Sequence, residues 1–82
     1  MNKYSAEVSV MLKSGIADPQ GQTIEKALPA LGYDGVSQVR VGKQIHLDVE
    51  AQDPDEAKTR VLEMCERLLA NPVIEAFEVT IG

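Results

Sequence analysis

Two dipeptides, Asp18-Pro19 and Asp53-Pro54, constrain this chain more than any other feature, because each fixes the start of a helix. An aspartate carboxylate can accept hydrogen bonds from the unpaired amides of a first helical turn, and proline suits the first position because it has no N–H to leave unpaired. The second signal is reinforced by Asp55 and Glu56, which complement the helix dipole and complete a capping-box spacing. Apolar residues follow each start at helical intervals. They are Ile24, Ala27, Leu28 and Leu31 in the first helix, and Ala57, Val61, Met64, Cys65 and Leu68 in the second. Gly32 is predicted to close the first helix in the left-handed conformation, and Asn71-Pro72 to end the second. Pro29 lies inside the first helical pattern, which predicts a kink or a tightened last turn.

The segments around these helices alternate. Tyr4, Ala6, Val8, Val10 and Leu12 share one strand face, with Ser5, Glu7, Ser9, Met11 and Lys13 on the other. Within 36–51 the apolar residues Val39, Val41, Ile45, Leu47 and Val49 all have odd numbers. A hairpin turning over 42–44 pairs position 41 with 45 and 39 with 47, which keeps those residues together and is the favoured reading. One long, bent strand preserves the same parity. The last strand places Val73, Phe77, Val79 and Ile81 on one face, interrupted by Glu75. The order defines a single α+β domain over residues 1–82. It is expected to be ferredoxin-like, βαββαβ, with an antiparallel sheet and both helices on one face. The uncovered face would carry Glu7, Ser9, Met11, Arg40, His46, Asp48, Ile74, Ala76 and Thr80. That mixture suits a subunit contact, so a homodimer or higher homo-oligomer is expected.

Composition removes several function classes. Eight basic residues against thirteen acidic ones give a net charge of −5, the wrong sign for a nucleic-acid surface or for anionic membranes. No long apolar run suggests a signal or a membrane span, and a cytoplasmic location is expected. Cys65 is the only cysteine and His46 the only histidine. Parity sets them on opposite sides of the sheet, so a nucleophile–base pair is not expected. His46 and Asp48 share a face but lack further metal ligands. The acids near Asp53 are explained by capping, and Asp18 fills the helix start with its own carboxylate where a phosphate would otherwise sit. Arg40-Val41-Gly42-Lys43 reads as a small basic turn able to meet an acidic partner. This chemistry gives a non-catalytic domain without cofactor or metal. Its partner-contact candidates lie in that turn and in Asn71-Pro72-Val73-Ile74-Glu75.

Several of these segments also resemble one family. Val8-Ser9-Val10-Met11-Leu12-Lys13, Asp18-Pro19-Gln20-Gly21, Leu31-Gly32-Tyr33, Val39-Arg40-Val41-Gly42-Lys43 and the run from Leu68 to Glu75 occur in the order found in the PurS family. These are the small subunits of phosphoribosylformylglycinamidine (FGAM) synthase. The resemblance implies a role in de novo purine synthesis, as a part of a glutamine-dependent C–N ligase complex. The small subunit would bridge a glutaminase subunit and a large synthetase subunit and support ammonia transfer, with ATP and magnesium on the large subunit. It implies Arg40 and Lys43 as charged contacts to a larger subunit, with Gly42 permitting the turn between them. Asn71 and Pro72 would direct the last strand, and Glu75 would face a partner cation. Asp18 and Gly21 would be structural first, with close partner approach over Gly21. A different reading, a free-standing small-molecule sensor of ACT type, fits the same expected topology.

Overall fold

The computed structural model describes all 82 residues. Strand β1 (Asn2–Leu12) leads to helix α1 (Pro19–Ala27), which tightens into a 3₁₀ turn at Leu28–Leu31. Strand β2 (Gly42–Ala51), helix α2 (Pro54–Met64) and strand β3 (Glu75–Ile81) follow. β1 is central and runs antiparallel to β2 on one side and β3 on the other. The architecture is thus α+β and ferredoxin-like, an antiparallel sheet with two helices.

Both helix starts form as their sequences dictate. Asp53 Oδ1 accepts the Glu56 amide at 2.8 Å, with Pro54 at the first position. Glu56 turns its own carboxylate to Arg60 at 3.4 Å instead of back to the cap. Pro29 produces the tightened turn, where Gly32 N–H donates to Pro29 O at 3.0 Å and Gly32 takes φ 94°. A left-handed residue suits glycine because it has no Cβ to clash.

α2 makes the core. Its Ala57 and Val61, with Cys65 just beyond, are buried against Ala6, Val8 and Val10 of β1 and Val49 and Ala51 of β2. Each buried valine contributes roughly 1.5–3 kcal/mol by leaving water. After Met64 the helix widens into a π turn at Cys65–Leu69. The extra residue rotates the end of the helix, so Leu69 meets the core while Leu68, expected on the apolar face, is 83% exposed. Val73, expected on the core face of the last strand, precedes β3 and is 80% exposed.

The expected hairpin over 42–44 does not form. Gly42 pairs with Met11 and opens β2, and residues 36–41 approach it without a strand partner. The sheet therefore has three strands, and the odd parity belongs to one continuous run. The amides of Val39 and Val41 are taken by the side chains of Glu25 and Asp18, so they cannot enter a hairpin ladder. Gln38, at φ 56°, bends the chain just before them.

α1 rests on this 39–41 segment, beyond the end of the sheet. Its one buried residue is Gly21. The consequence is an elongated molecule, 53 × 25 × 15 Å, with a radius of gyration of 16.5 Å. A compact chain of this length would measure about 12 Å.

Candidate partner-docking site

Every strand has one end on the side where β1 leaves the sheet and β2 and β3 enter it, and most candidate residues gather there. Asp18 is the hub. Its Oδ1 accepts Gly21 N–H at 2.9 Å, capping α1, and its Oδ2 accepts Val41 N–H at 2.8 Å. Glu25 Oε1 accepts Val39 N–H at 2.9 Å. The bonds from Gly21 and then Val41 hold the Asp18 carboxyl below its ordinary value of 3.8; partial burial opposes this and the Arg40 charge adds to it.

Gly21 is needed for close approach. A Cβ there would collide with the Val39 carbonyl oxygen and stand 2.8 Å from Asp18 Oδ2. Arg40 completes the clamp, donating from its guanidinium to the carbonyl oxygens of Leu12 and, at 3.3 Å, Lys13. These bonds tie the 39–41 segment to the exit of β1, so Arg40 has an intramolecular task in this chain.

Gly42 does not serve a turn. Its backbone is not left-handed, and a Cβ would strike the Met11 side chain across the strand pair. Close packing of β2 on β1 is what calls for glycine here. Asp18, Gly42, Lys43 and Glu75 line a shared cleft of about 290 Å³ floored by Val10 and Leu12. Lys43 is exposed at its rim.

Asn71 and Pro72 lie in a second rigid feature, the turn into β3. Asn71 O accepts Glu75 N–H at 2.7 Å, and Glu75 Oε1 accepts Asn71 N–H at 2.7 Å in return. Asn71 Oδ1 accepts Val73 N–H at 3.2 Å, and Lys13 Nζ donates to Pro72 O at 2.6 Å. Glu75 is half-buried and spends one carboxylate oxygen on this lock. The lock holds Leu68 and Val73, the two most exposed of the large apolar side chains, on either side of the turn. Nothing in the local sequence singles out Glu25 or Lys13 for these tasks, because their bonds join segments far apart along the chain.

The bare sheet face is polar. His46 Nδ1 lies 3.5 Å from Glu7, and Ser5 Oγ donates to Asp48 at 3.4 Å. Cys65 is buried on the opposite side, where burial and then the neighbouring Glu66 charge push its thiol pKa up. No group of three or more His, Cys, Asp or Glu is placed to hold a metal ion, and no helix is long and apolar enough to cross a membrane.

Fold and site together define a small α+β assembly module, in which side chains fix backbone geometry and present surfaces. A family model described as PurS, phosphoribosylformylglycinamidine (FGAM) synthase, matches residues 5–82. The chain is 46% identical over 81 residues to the PurS subunit of Synechocystis, covering 96% of this chain and 81% of that one. It is 45% identical over 74 residues to the Bacillus subtilis PurS subunit, covering 90% and 87%. Its fold matches a chain in the structure of PurLQS from Thermotoga maritima with a TM-score of 0.90 at 39% identity, covering 100% of both chains. The chain belongs to the PurS family.

Proposed function

We propose that this chain is the small, non-catalytic subunit of a phosphoribosylformylglycinamidine synthase. In this reading a glutaminase subunit hydrolyses glutamine to glutamate and ammonia. A large synthetase subunit, holding ATP and magnesium, phosphorylates the amide oxygen of formylglycinamide ribonucleotide. Ammonia then displaces phosphate to give formylglycinamidine ribonucleotide. The present chain bridges the two subunits in the cytoplasm, as a homodimer or higher homo-oligomer. Free ammonia is lost by diffusion and protonation, so holding both sites in one assembly raises the rate at which it is captured.

The observation that carries this reading is the full-length fold match to the chain in Thermotoga PurLQS. The relatives are PurS subunits, which favours it over an ACT-type sensor. Lys43 and the apolar pair Leu68 and Val73 are the surfaces we assign to the larger subunits. Asn71, Pro72 and Glu75 set the turn that presents the pair, while Asp18, Gly21, Arg40 and Gly42 shape the end that carries Lys43.

The test is turnover by the large and glutaminase subunits with and without this chain, fed by glutamine or by ammonium salt. Glutamine-driven turnover should need the chain, and ammonium-driven turnover should not. Equal glutamine-driven rates in both mixtures, with no ternary complex on a sizing column, would overturn the reading.

A further inference from the structure

One stretch of the chain is held only at its ends. Tyr33 N–H donates to Leu28 O at 3.1 Å, and Val39 N–H to Glu25 Oε1 at 2.9 Å. Between these anchors residues 34–38 are all exposed, and none of their backbone groups makes a hydrogen bond within the protein. Exposed backbone without internal partners samples conformations that a helix or ladder forbids. The link opens with Asp34-Gly35. Gly35 takes φ 84°, and nothing lies within 4 Å of where a Cβ would stand. Its amide nitrogen is therefore open to the Asp34 carboxyl, which forms no ion pair that would hold it away. Glycine also lets the pair rotate through the angles that bring nitrogen and carboxyl together. The other aspartates are closed to such an approach. Asp18 and Asp53 precede proline, which has no N–H to give up. Asp48 precedes Val49, a buried β-branched residue paired with Tyr4 in the ladder. The amide that follows Asp55 belongs to Glu56 and is spent on Asp53 Oδ1 at 2.8 Å.

We propose that Asp34 is a site of spontaneous isomerisation to isoaspartate. The Gly35 nitrogen attacks Cγ of the protonated Asp34 carboxyl. A C–N bond forms, the C–OH bond breaks, and the amide proton leaves with the hydroxyl as water, closing a cyclic imide. Water then reopens the ring. Addition at Cγ restores aspartate, whereas addition at the main-chain carbonyl breaks the original peptide bond and leaves the backbone running through Cβ. Overall no atom is gained or lost, and the main chain becomes one bond longer. Glu25 and Asp18 hold α1 to Val39 and Val41 without help from the link, so the added length is taken up there and the fold persists. The displaced α-carboxylate stands exposed, where a carboxyl methyltransferase using S-adenosylmethionine could reach it. The inference rests on this link alone and stands apart from the synthase reading.

The full-length chain and a peptide spanning 31–38 are incubated side by side in mildly acidic buffer. Isoaspartate at position 34 is located by electron-transfer fragmentation, which reads the shifted backbone, and counted by methyl transfer from a labelled donor. The native chain should form it at a rate within about tenfold of the peptide's, as an unrestrained link allows. A slower native rate would show that the fold holds Asp34 away from Gly35 and would overturn the proposal. Asp34→Glu keeps the charge but requires a larger ring, so methyl acceptance should fall to the level of fresh protein. Undiminished methyl acceptance in that variant would place the reaction elsewhere and overturn the assignment.

Discussion

The two helices begin with the same grammar and meet different fates. In α2 an Asp-Pro start precedes a face that is buried on the sheet through Ala57, Val61 and Cys65. In α1 an Asp-Pro start precedes a face whose Ile24 and Leu31 find no sheet. The difference lies in what each cap does besides capping. Asp53 binds one amide of its own helix, whereas Asp18 also binds Val41 and so fixes α1 to a segment that leaves the fold. A cap can therefore decide which surface a helix will cover.

The comparison breaks most visibly at α2. Val61→Asp would bury an unpaired charge at a cost above about 4 kcal/mol, so no cooperative thermal transition should be seen by circular dichroism. A retained sharp transition would mean that α2 does not hold the core. At α1 the matching change, Ile24→Asp, should alter the unfolding of the isolated monomer by less than about 0.5 kcal/mol, as for a surface site. A loss as large as that at Val61 would show that Ile24 is held against the sheet.

The caps sharpen the contrast further. Asp53→Ala should cost about 1 kcal/mol in urea unfolding. Asp18→Ala should cost more, because it releases Val41 as well as Gly21; equal losses would show that the bond to Val41 contributes nothing. The effect of pH has a definite sign. Asp18 is depressed in the folded chain, so its contribution is complete above the ordinary value of 3.8 and fades as pH falls through the lower folded value. Asp18→Asn should flatten the stability profile in that acid window alone.

The smallest effect concerns Cys65. Burial raises its thiol pKa, so little thiolate is present at neutral pH. Alkylation should be at least tenfold slower in the native chain than in urea. Similar rates would show that the α2 side of the core opens readily.

Local features were legible in the sequence. Asp18 and Asp53 as caps, the tightened turn at Pro29 and the left-handed Gly32 follow from the conformational limits of single residues. The faces of β1 were legible for the same reason, since a strand's period is fixed. What failed depended on distant partners. Odd parity over 39–49 fits a hairpin and a continuous run equally, and the choice was made by Glu25 and Asp18 binding amides well ahead in the chain. Leu68 was misplaced because one extra residue in the last turn of α2 changes the phase of every residue after it. Among the site residues, Arg40 and Glu75 looked free because their charges were visible, while the backbone groups they satisfy were not.

The central position of β1 has a consequence for the birth of the protein. β1 is synthesised before both of its partners, so its first residues wait for Ala51, and its other edge waits for a strand ending at Ile81. Every strand partner of β1 is thus translated after it, the last of them Ile81. Loop-closure entropy must be met before such contacts return anything, which slows folding relative to a chain of local contacts. Until then a half-apolar strand stands open on both edges. Its safety on the way to the native state depends on the charges of Lys3 and Glu7 within it and of Lys13 just past its end.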